Sequence, residues 1–220
     1  EYDADFYRGV WATLERDGFW RGEMINRRRD GSRYVQQTSI SVVKDKHGRV
    51  RNYIGLSSDI SAIKESRERL ERMAYFDALT SLPNRRLLSD RLNQAIGQAR
   101  RGGTLLAICY LDLDGFKPVN DQWGHAAGDL LLIDAARRLT ANVRAGDTVS
   151  RLGGDEFVVL LGNLAHLDEC EVALERIRTE LNRPFHLKDG EARISASMGV
   201  TLFPLDGAEP DMLLRHADQA

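Results

Sequence analysis

The sequence is poor in cysteine, lacks any long apolar run and is nearly neutral. Two cysteines, Cys109 and Cys170, occur in 220 residues, too few for a disulfide framework and without zinc-ligand spacing, which fits a reducing cytosol. No apolar run approaches the roughly 20 residues that cross a bilayer, and no secretory signal is visible. A net charge of −2 gives no general attraction to nucleic acid. We therefore expect a cytoplasmic fragment that does not bind nucleic acid.

The chain begins and ends abruptly, which indicates a piece of a longer protein that a membrane segment elsewhere could anchor. Its composition, 42% hydrophobic and 29% charged, is ordinary for a globular protein and excludes a disordered or fibrous one. The length predicts one or two domains. The sequence patterns divide the chain into residues 1–60, 61–76 and 77–220.

Residues 1–60 are predicted to be rich in β-structure. Runs of β-branched and aromatic residues predict three strands, at 19–26, 34–43 and 50–56. The short polar segments between them contain Asp30-Gly31 and Gly48, which are typical of tight turns. Together they predict an antiparallel meander.

Residues 61–76 are predicted to form a linker helix. Apolar residues fall on one seam, at Ile60, Ile63, Leu70 and Ala74, which Arg67 interrupts. The pattern fits a short parallel coiled coil that joins two protomers. It also fits a solvated amphipathic linker, and the sequence does not separate the two interpretations.

Residues 77–220 alternate between helical and strand patterns. Leu105–Leu111 is an unbroken apolar run, typical of a strand buried on both faces. Further strands are predicted on either side of Gly153-Gly154 and at 192–202, and helices at 85–99, 130–143, 167–181 and from 211. We expect an α/β (α+β) domain with a central mixed sheet flanked by helices.

Two acids follow a glycine turn in the sequence Arg-Leu-Gly-Gly-Asp-Glu-Phe at 151–157. A glycine pair suits a turn with positive φ and lets a bulky ligand approach the backbone. Asp155 and Glu156 are therefore expected at an open edge that a ligand can reach. Taken alone, the motif also fits a plain hairpin with a charged tip.

A second acidic motif ends the buried strand, in the sequence Leu-Asp-Leu-Asp-Gly-Phe-Lys at 111–117. An acid at the end of a buried strand costs free energy unless it meets a metal or a donor. Asp112 and Asp155 both lie at strand ends, and paired carboxylates suit Mg²⁺ with substrate phosphates. Lys117 and the nearby turn amides are expected to receive phosphate oxygens, and Asp114 is interpreted as a turn residue.

A third motif surrounds a predicted corner between two helices, in the sequence Asn-Asp-Gln-Trp-Gly-His-Ala-Ala-Gly-Asp at 120–129. An Asp that accepts from guanine N1 and N2, with an Asn beside it, would select guanine by hydrogen bonds. Taken singly, Asn120 and Asp129 fit helix capping better.

These three features, in this order and spacing, resemble the GGDEF family of diguanylate cyclases. The opening signature Phe-Asp-Ala-Leu-Thr-Ser-Leu-Pro-Asn-Arg-Arg at 76–86 agrees with that family, as does Ala-Ser-Met-Gly-Val at 196–200. The resemblance implies a palm-like nucleotidyl-cyclase fold that binds one GTP. It also implies a homodimer in which two GTP condense to cyclic di-GMP and two pyrophosphates.

The resemblance also implies a role for each site residue. Asp112 and Asp155 would be ligands of Mg²⁺ or Mn²⁺, assisted by the Leu113 carbonyl. Asp155 would in addition accept a proton, and Glu156 would support the second metal or the base. The substrate-binding residues implied are Phe116 and Lys117 at the phosphates, Asn120 and Asp129 at guanine, and His125 in the guanine pocket.

Two further implications concern regulation and the C-terminal end. The sequence Arg-Ala-Gly-Asp at 144–147 has the register of the family's inhibitory product site, which predicts product inhibition through Arg144 and Asp147; a plain polar turn is the alternative. The family's Lys and Arg that hold the triphosphate would follow Ala220, and so would a final strand. The chain is therefore expected to bind GTP weakly by itself.

Residues 1–60 resemble the C-terminal half of a PAS sensor domain. The features that match are the strand Trp20-Arg21-Gly22-Glu23, the hairpins at Asp30-Gly31 and Gly48, and the closing Asp59-Ile60-Ser61. The resemblance implies regulation by this segment through a ligand that the sequence does not identify.

The flanks Leu82–Arg85 and Arg183–Phe185 resemble variants ahead of EAL phosphodiesterase domains, so a catalytically weak GTP-binding domain that controls a downstream EAL domain is the alternative. A PAS tail that acts mainly in dimerisation or sensing is a third interpretation.

Overall fold

The computed structural model describes residues 2–188 and 190–220. The chain divides into two compact units, Glu1–Glu71 and Arg72–Ala220. The first unit contains α1 (Ala4–Asp17), β1 (Phe19–Arg27), β2 (Arg33–Lys44) and β3 (Val50–Asp59). Helix α2 (Ser61–Tyr75) follows and contains the division between the units.

The first unit has a three-stranded sheet in the order β1-β2-β3, with both ladders antiparallel. Gly31 and Gly48 lie in the two turns with φ of 89° and 79°, a conformation that glycine adopts without strain. The predicted meander is therefore present. Its relation to a PAS domain stays a proposal.

Helix α1 is an element that the sequence patterns did not predict within the β-rich segment 1–60. Asp3 caps its start by accepting from the Phe6 amide at 2.9 Å, and Gly18 ends it with φ of 73°. Val10 and Leu14 are buried. These two positions are four residues apart, which is the spacing that places two side chains on one face of a helix.

The second unit contains five helices and six strands among the described residues. The helices are α3 (Arg85–Gly102), α4 (Phe116–Trp123), α5 (His125–Ala141), α6 (Leu167–Leu181) and α7 (Pro210–Gln219). The strands are β4 (Leu105–Asp114), β5 (Thr148–Gly153), β6 (Glu156–Leu164), β7 (Phe185–Leu187), β8 (Gly190–Ala192) and β9 (Ser195–Phe203). Strands β7 and β8 pair with each other.

The central sheet has the order β5-β6-β4-β9. All three of its ladders are antiparallel in the described part of the chain, which corrects the expected mixed sheet. Strands that are buried on both faces, as the apolar run of β4 predicts, are usual in parallel sheets. Here β4 is antiparallel and still doubly buried, because helices cover the sheet on both sides.

Two apolar clusters fill the space between the sheet and its helices. One face of β4 packs with α5 and α6, through residues such as Leu111, Leu131 and Ile177. The other face packs with α3 and α7, through residues such as Ile108 and Leu213. None of the helices in the described ranges is long and apolar enough to span a membrane.

Candidate active site

The glycine turn between β5 and β6 presents its two acids beside the end of β4. Gly154 has φ of 52° and Gly153 has φ of 149°, both outside the range that other residues adopt easily. The amide of Leu113 faces the carbonyl of Asp155 at 3.4 Å. Asp155 and Glu156 are half-buried. The sheet thus brings together the two acidic motifs that the sequence placed more than 40 residues apart.

Carboxylates surround Asp112, which lies directly opposite Glu156 in the ladder between β4 and β6. Asp112 is exposed, but partial desolvation raises its pKa, and so does the negative charge of its neighbours Asp155, Asp114, Glu156 and Asp218. A raised pKa means that the ionised form is disfavoured by its surroundings. The cluster is therefore a place where a cation would relieve repulsion.

The donor set fits a hard divalent cation that keeps other ligands. Within residues 2–188 and 190–220, the structure contains no group of three or more acid, histidine or cysteine side chains that could hold a metal ion by itself. The expected set has two carboxylates, Asp112 and Asp155, and one backbone carbonyl, that of Leu113. Mg²⁺ commonly takes one or two carboxylates and completes its shell with water and substrate phosphates.

The turn after β4 opens α4 beside this cluster. Gly115 has φ of 84° and precedes Phe116, the first residue of the helix. Lys117 is exposed and Phe116 is half-buried. Asp114 was interpreted as a turn residue, but its carboxylate accepts from the hydroxyls of Ser195 and Ser197, both at 2.9 Å, so it ties the turn to β9.

The expected guanine site lies at the corner between α4 and α5. Asn120 packs so closely on Gly128 that an added Cβ there would lie 1.9 Å from Asn120 Oδ1. His125 and Asp129 are exposed in the first turns of α5, and Asn120 is half-buried. The start of α5 has no side-chain cap among the described residues. The capping interpretation of Asn120 and Asp129 is therefore not supported there.

A cavity of about 570 Å³ adds residues that the sequence patterns did not single out. Its lining contains the predicted Glu156 and also Tyr110, Arg85, Arg215 and Asp218, to which the sequence patterns assigned no role. Burial, followed by a hydrogen bond to Glu156, raises the pKa of Tyr110. The sequence did not reveal Tyr110 as a site residue, because it lies within the apolar run of β4, on the same face of the strand as the buried Ile108.

The predicted inhibitory residues line a separate cavity of about 220 Å³. Asp147 accepts from the amides of Arg144 at 2.8 Å and Gly162 at 3.1 Å. Arg144 pairs with Glu169 at 3.1 Å. The cavity also contains Arg176, which sequence reasoning missed because it lies on α6, far along the chain. Two guanidinium groups thus border the same space, where the sequence predicted one.

The comparison with protein families matches residues 74–220 to the family described as "Diguanylate cyclase, GGDEF domain". This match covers more than half of the chain and includes the glycine turn, the carboxylate cluster and the helix corner. The chain therefore belongs to the GGDEF family of diguanylate cyclases.

Characterised relatives agree with this assignment. The chain is 47% identical over 160 residues to the bifunctional diguanylate cyclase/cyclic di-GMP phosphodiesterase MucR of Pseudomonas aeruginosa, covering 73% of this chain and 23% of that protein. It is 38% identical over 166 residues to the diguanylate cyclase TpbB of the same organism, covering 75% of this chain and 38% of that protein. The chain thus spans less than two fifths of the length of these relatives.

Solved structures share the fold. The GGDEF domain of TpbB superposes with a TM-score of 0.63 at 40% identity, covering 66% of this chain and 84% of that one. The coiled coil and GGDEF domain of DgcB from Caulobacter crescentus, solved in complex with c-di-GMP, gives a TM-score of 0.65 at 28% identity, covering 73% of this chain and 85% of that one.

Proposed function

We propose that this chain condenses two GTP molecules into cyclic di-GMP and two pyrophosphates. The observation that carries the proposal is the cluster of Asp112, Asp155 and Glu156 at one end of the central sheet, beside a glycine turn that leaves room for a ligand. This arrangement lies inside the segment that matches the diguanylate cyclase family.

The reaction transfers a nucleotidyl group without a change of oxidation state. The 3′-oxygen of each GTP forms a bond to the α-phosphorus of the other, and the bond to pyrophosphate breaks. Asp155 is the proposed acceptor of the hydroxyl proton, and Glu156 is proposed to support it. Asp112, Asp155 and the Leu113 carbonyl would hold Mg²⁺ or Mn²⁺, which when bound neutralises developing charge on the phosphates.

Substrate selection is assigned to the corner between α4 and α5. Asn120 and Asp129 are proposed to hydrogen-bond the guanine edge, with His125 beside them. The amides that follow Gly115, together with Lys117, are proposed to face the phosphates. The exposure of Lys117, His125 and Asp129 supports this assignment, since a ligand can reach them.

Condensation needs two copies of the domain, because each nucleotide attacks the other. We propose a homodimer in which two such sites face each other.

Product inhibition is proposed at the cavity of Arg144, Asp147 and Arg176, since guanidinium groups can bind a phosphate or the guanine edge in two-point contacts. Arg144→Ala should raise the concentration of cyclic di-GMP that halves the rate, and an unchanged value would remove the cavity from the proposal.

The segment before the cyclase domain is proposed to be the end of a PAS-type sensor. Its three-stranded meander and its position directly before α2 support this view. A downstream phosphodiesterase domain in the whole protein is proposed from the similarity to MucR, whose name records both activities.

The test is product formation from GTP and Mg²⁺, separated by chromatography, for the wild-type protein and Asp155→Ala. The measurement is made on this chain and on a chain extended through the Lys and Arg that the family resemblance implies. Cyclic di-GMP from the wild type and none from the variant would support the cyclase. If the wild type binds GTP but forms no product, and Asn120→Ala no longer binds GTP, the result would contradict the proposed cyclase activity and favour a regulatory GTP-binding domain.

A further inference from the structure

The loop between α2 and α3, residues 76–84, is closed by its own hydrogen bonds. Phe76 and Pro83 pair in an isolated antiparallel bridge. Asn84 starts α3 as its N-cap, and its Nδ2 donates to the Ala74 carbonyl at 3.1 Å, back in α2. The loop is therefore fixed at both ends, so a side chain that hydrogen-bonds to it is held in place.

Asp77 in this loop gathers three donors on one oxygen. Its Oδ1 accepts from the Thr80 amide at 2.8 Å and from the Thr80 hydroxyl at 2.6 Å. It also accepts from Nη1 of Arg151 at 2.8 Å. The Arg151 side chain is 10% exposed and that of Asp77 is 21% exposed, so solvent screens this ion pair much less than a surface pair.

The same guanidinium holds the glycine turn. Nε and Nη2 of Arg151 both donate to the carbonyl of Gly154, at 3.0 and 2.7 Å. The Arg151 amide donates to the Pro83 carbonyl at 3.0 Å, which joins β5 to the loop a second time. The planar fork of arginine makes this two-sided contact possible, whereas lysine presents a point charge on a flexible stem.

Side-chain packing does not brace the glycine turn. In the described part of the chain, no heavy atom beyond the chain neighbours lies within 4 Å of the position that a Cβ would take at Gly153 or Gly154. The turn is thus held by the ladder between β5 and β6, by Arg151, and by the Leu113 amide, which lies 3.4 Å from the Asp155 carbonyl. That ladder shifts register between Arg151 and Gly153, directly before the turn.

We infer that Arg151 is a positioning residue that holds the Gly154 carbonyl, and with it the adjacent Asp155, to the loop after α2, with Asp77 fixing the guanidinium. This inference rests on the proposed function, in which Asp155 holds the metal and accepts the proton. Catalysis is sensitive to displacements of the order of 1 Å. Loss of the contact should therefore lower kcat, while the guanine contacts on α4 and α5 keep KM for GTP nearly unchanged.

The first test measures kcat and KM for cyclic di-GMP formation, per folded molecule, in Asp77→Asn, Arg151→Lys and Arg151→Ala. Loss of one charge-assisted hydrogen bond predicts a roughly tenfold lower kcat for Asp77→Asn, with KM within about twofold of wild type. Arg151→Ala should lose more, and Arg151→Lys should recover part of that loss. Arg178→Ala, which removes an exposed ion pair with Glu175, is the matched control and should keep both constants.

The second test does not depend on turnover. Amide hydrogen exchange of residues 152–157 should be roughly tenfold faster in Asp77→Asn than in wild type, while residues 195–203 of β9 exchange at an unchanged rate. Unchanged exchange at 152–157 would overturn the inference, as would a loss of activity that follows only the folded fraction. If wild type makes no cyclic di-GMP, the proposed function fails, and hydrogen exchange still decides whether Arg151 holds the turn.

Discussion

Asp112 on β4 and Glu156 on β6 lie directly opposite each other in an antiparallel ladder. Like charges in this position repel, which costs folding free energy in most sheets. Asp155 and Asp218 add to the negative charge around Asp112. A sheet end that concentrates acids in this way is poorly suited to stability and well suited to holding a cation.

Binding of Mg²⁺ is therefore expected to stabilise the protein through Asp112. At a Mg²⁺ concentration ten times its dissociation constant, one bound ion adds about 1.4 kcal/mol to the free energy of unfolding. Asp112→Asn should unfold at a higher temperature than wild type without metal at neutral pH, because it removes the repulsion. It should also lose the response to Mg²⁺. Thermal unfolding with and without Mg²⁺ measures both effects, and an equal response of the two proteins would argue against a metal at this end of the sheet.

Gly128→Ala is expected to weaken GTP binding. The new Cβ would lie 1.9 Å from Asn120 Oδ1, so the Asn120 side chain must move. If Asn120 contacts guanine, KM for GTP should rise roughly tenfold, a cost typical of one lost base contact. Gly97→Ala on α3, where the nearest atom is 3.4 Å away at the end of the Arg101 side chain, is the control. It should keep KM and stabilise its helix by up to about 1 kcal/mol.

Arg138→Met is expected to lower the free energy of unfolding by about 3 kcal/mol. The Arg138 side chain is 9% exposed. It donates to the carbonyls of Glu180, Arg183 and Pro184 at 2.7–2.8 Å and lies 3.7 Å above the ring of Phe185. The variant leaves those partly buried carbonyls without their donor.

Urea unfolding measures this loss, and the neighbouring arginine provides the comparison. Arg137 and Arg138 both pair with Asp134, but the Arg137 side chain is 71% exposed, so Arg137→Ala should cost less than about 0.5 kcal/mol. Equal losses for the two variants would show that the carbonyl contacts contribute little.

The contribution of Asp77 to stability should depend on pH. Burial alone would raise its pKa, but hydrogen bonds from Thr80 and Arg151 outweigh burial and hold the pKa of Asp77 below its usual value. A lowered pKa in the folded state gives stability that is present above the pKa of the unfolded chain and lost as pH falls through the folded pKa. Wild type should therefore be more stable than Asp77→Asn at neutral pH, and the difference should shrink toward about pH 2.

Urea midpoints across this pH range measure the effect. Asp121→Asn, at an exposed position on α4, should differ from wild type by less than about 0.5 kcal/mol at neutral pH. A difference between wild type and Asp77→Asn that stays constant down to the lowest pH would contradict the role given to the Asp77 carboxylate.

Much of the second unit, Arg72–Ala220, could be predicted from the sequence, because the patterns that indicate its strands and turns are local. The apolar run before Asp112 and the glycine pair before Asp155 each indicate that a strand ends nearby. In the structure β5 ends at Gly153, and β4 continues two residues past Asp112, to Asp114. The direction of strand pairing could not be read in the same way. A run buried on both faces, such as β4, has the same pattern in a parallel and in an antiparallel sheet.

The contacts that the sequence did not predict join residues far apart in the chain. Arg151 reaches Asp77 across 74 positions, and Asp114 binds serines on β9 more than 80 positions away. Nothing in the local pattern of an arginine or an aspartate specifies a partner at such a distance. Arg176 was not predicted as part of the inhibitory cavity for the same reason, since only folding brings α6 beside Arg144.

The most direct test of the account is the Mg²⁺-dependent rate of cyclic di-GMP formation in the isosteric variants Asp112→Asn and Asp155→Asn. Asp90→Asn, at an exposed position on α3, is the matched control. We predict turnover by wild type and by Asp90→Asn, and a rate at least about a hundredfold lower in each of the other two variants, since each removes a proposed metal ligand. Turnover by Asp112→Asn or Asp155→Asn at the wild-type rate would contradict the account.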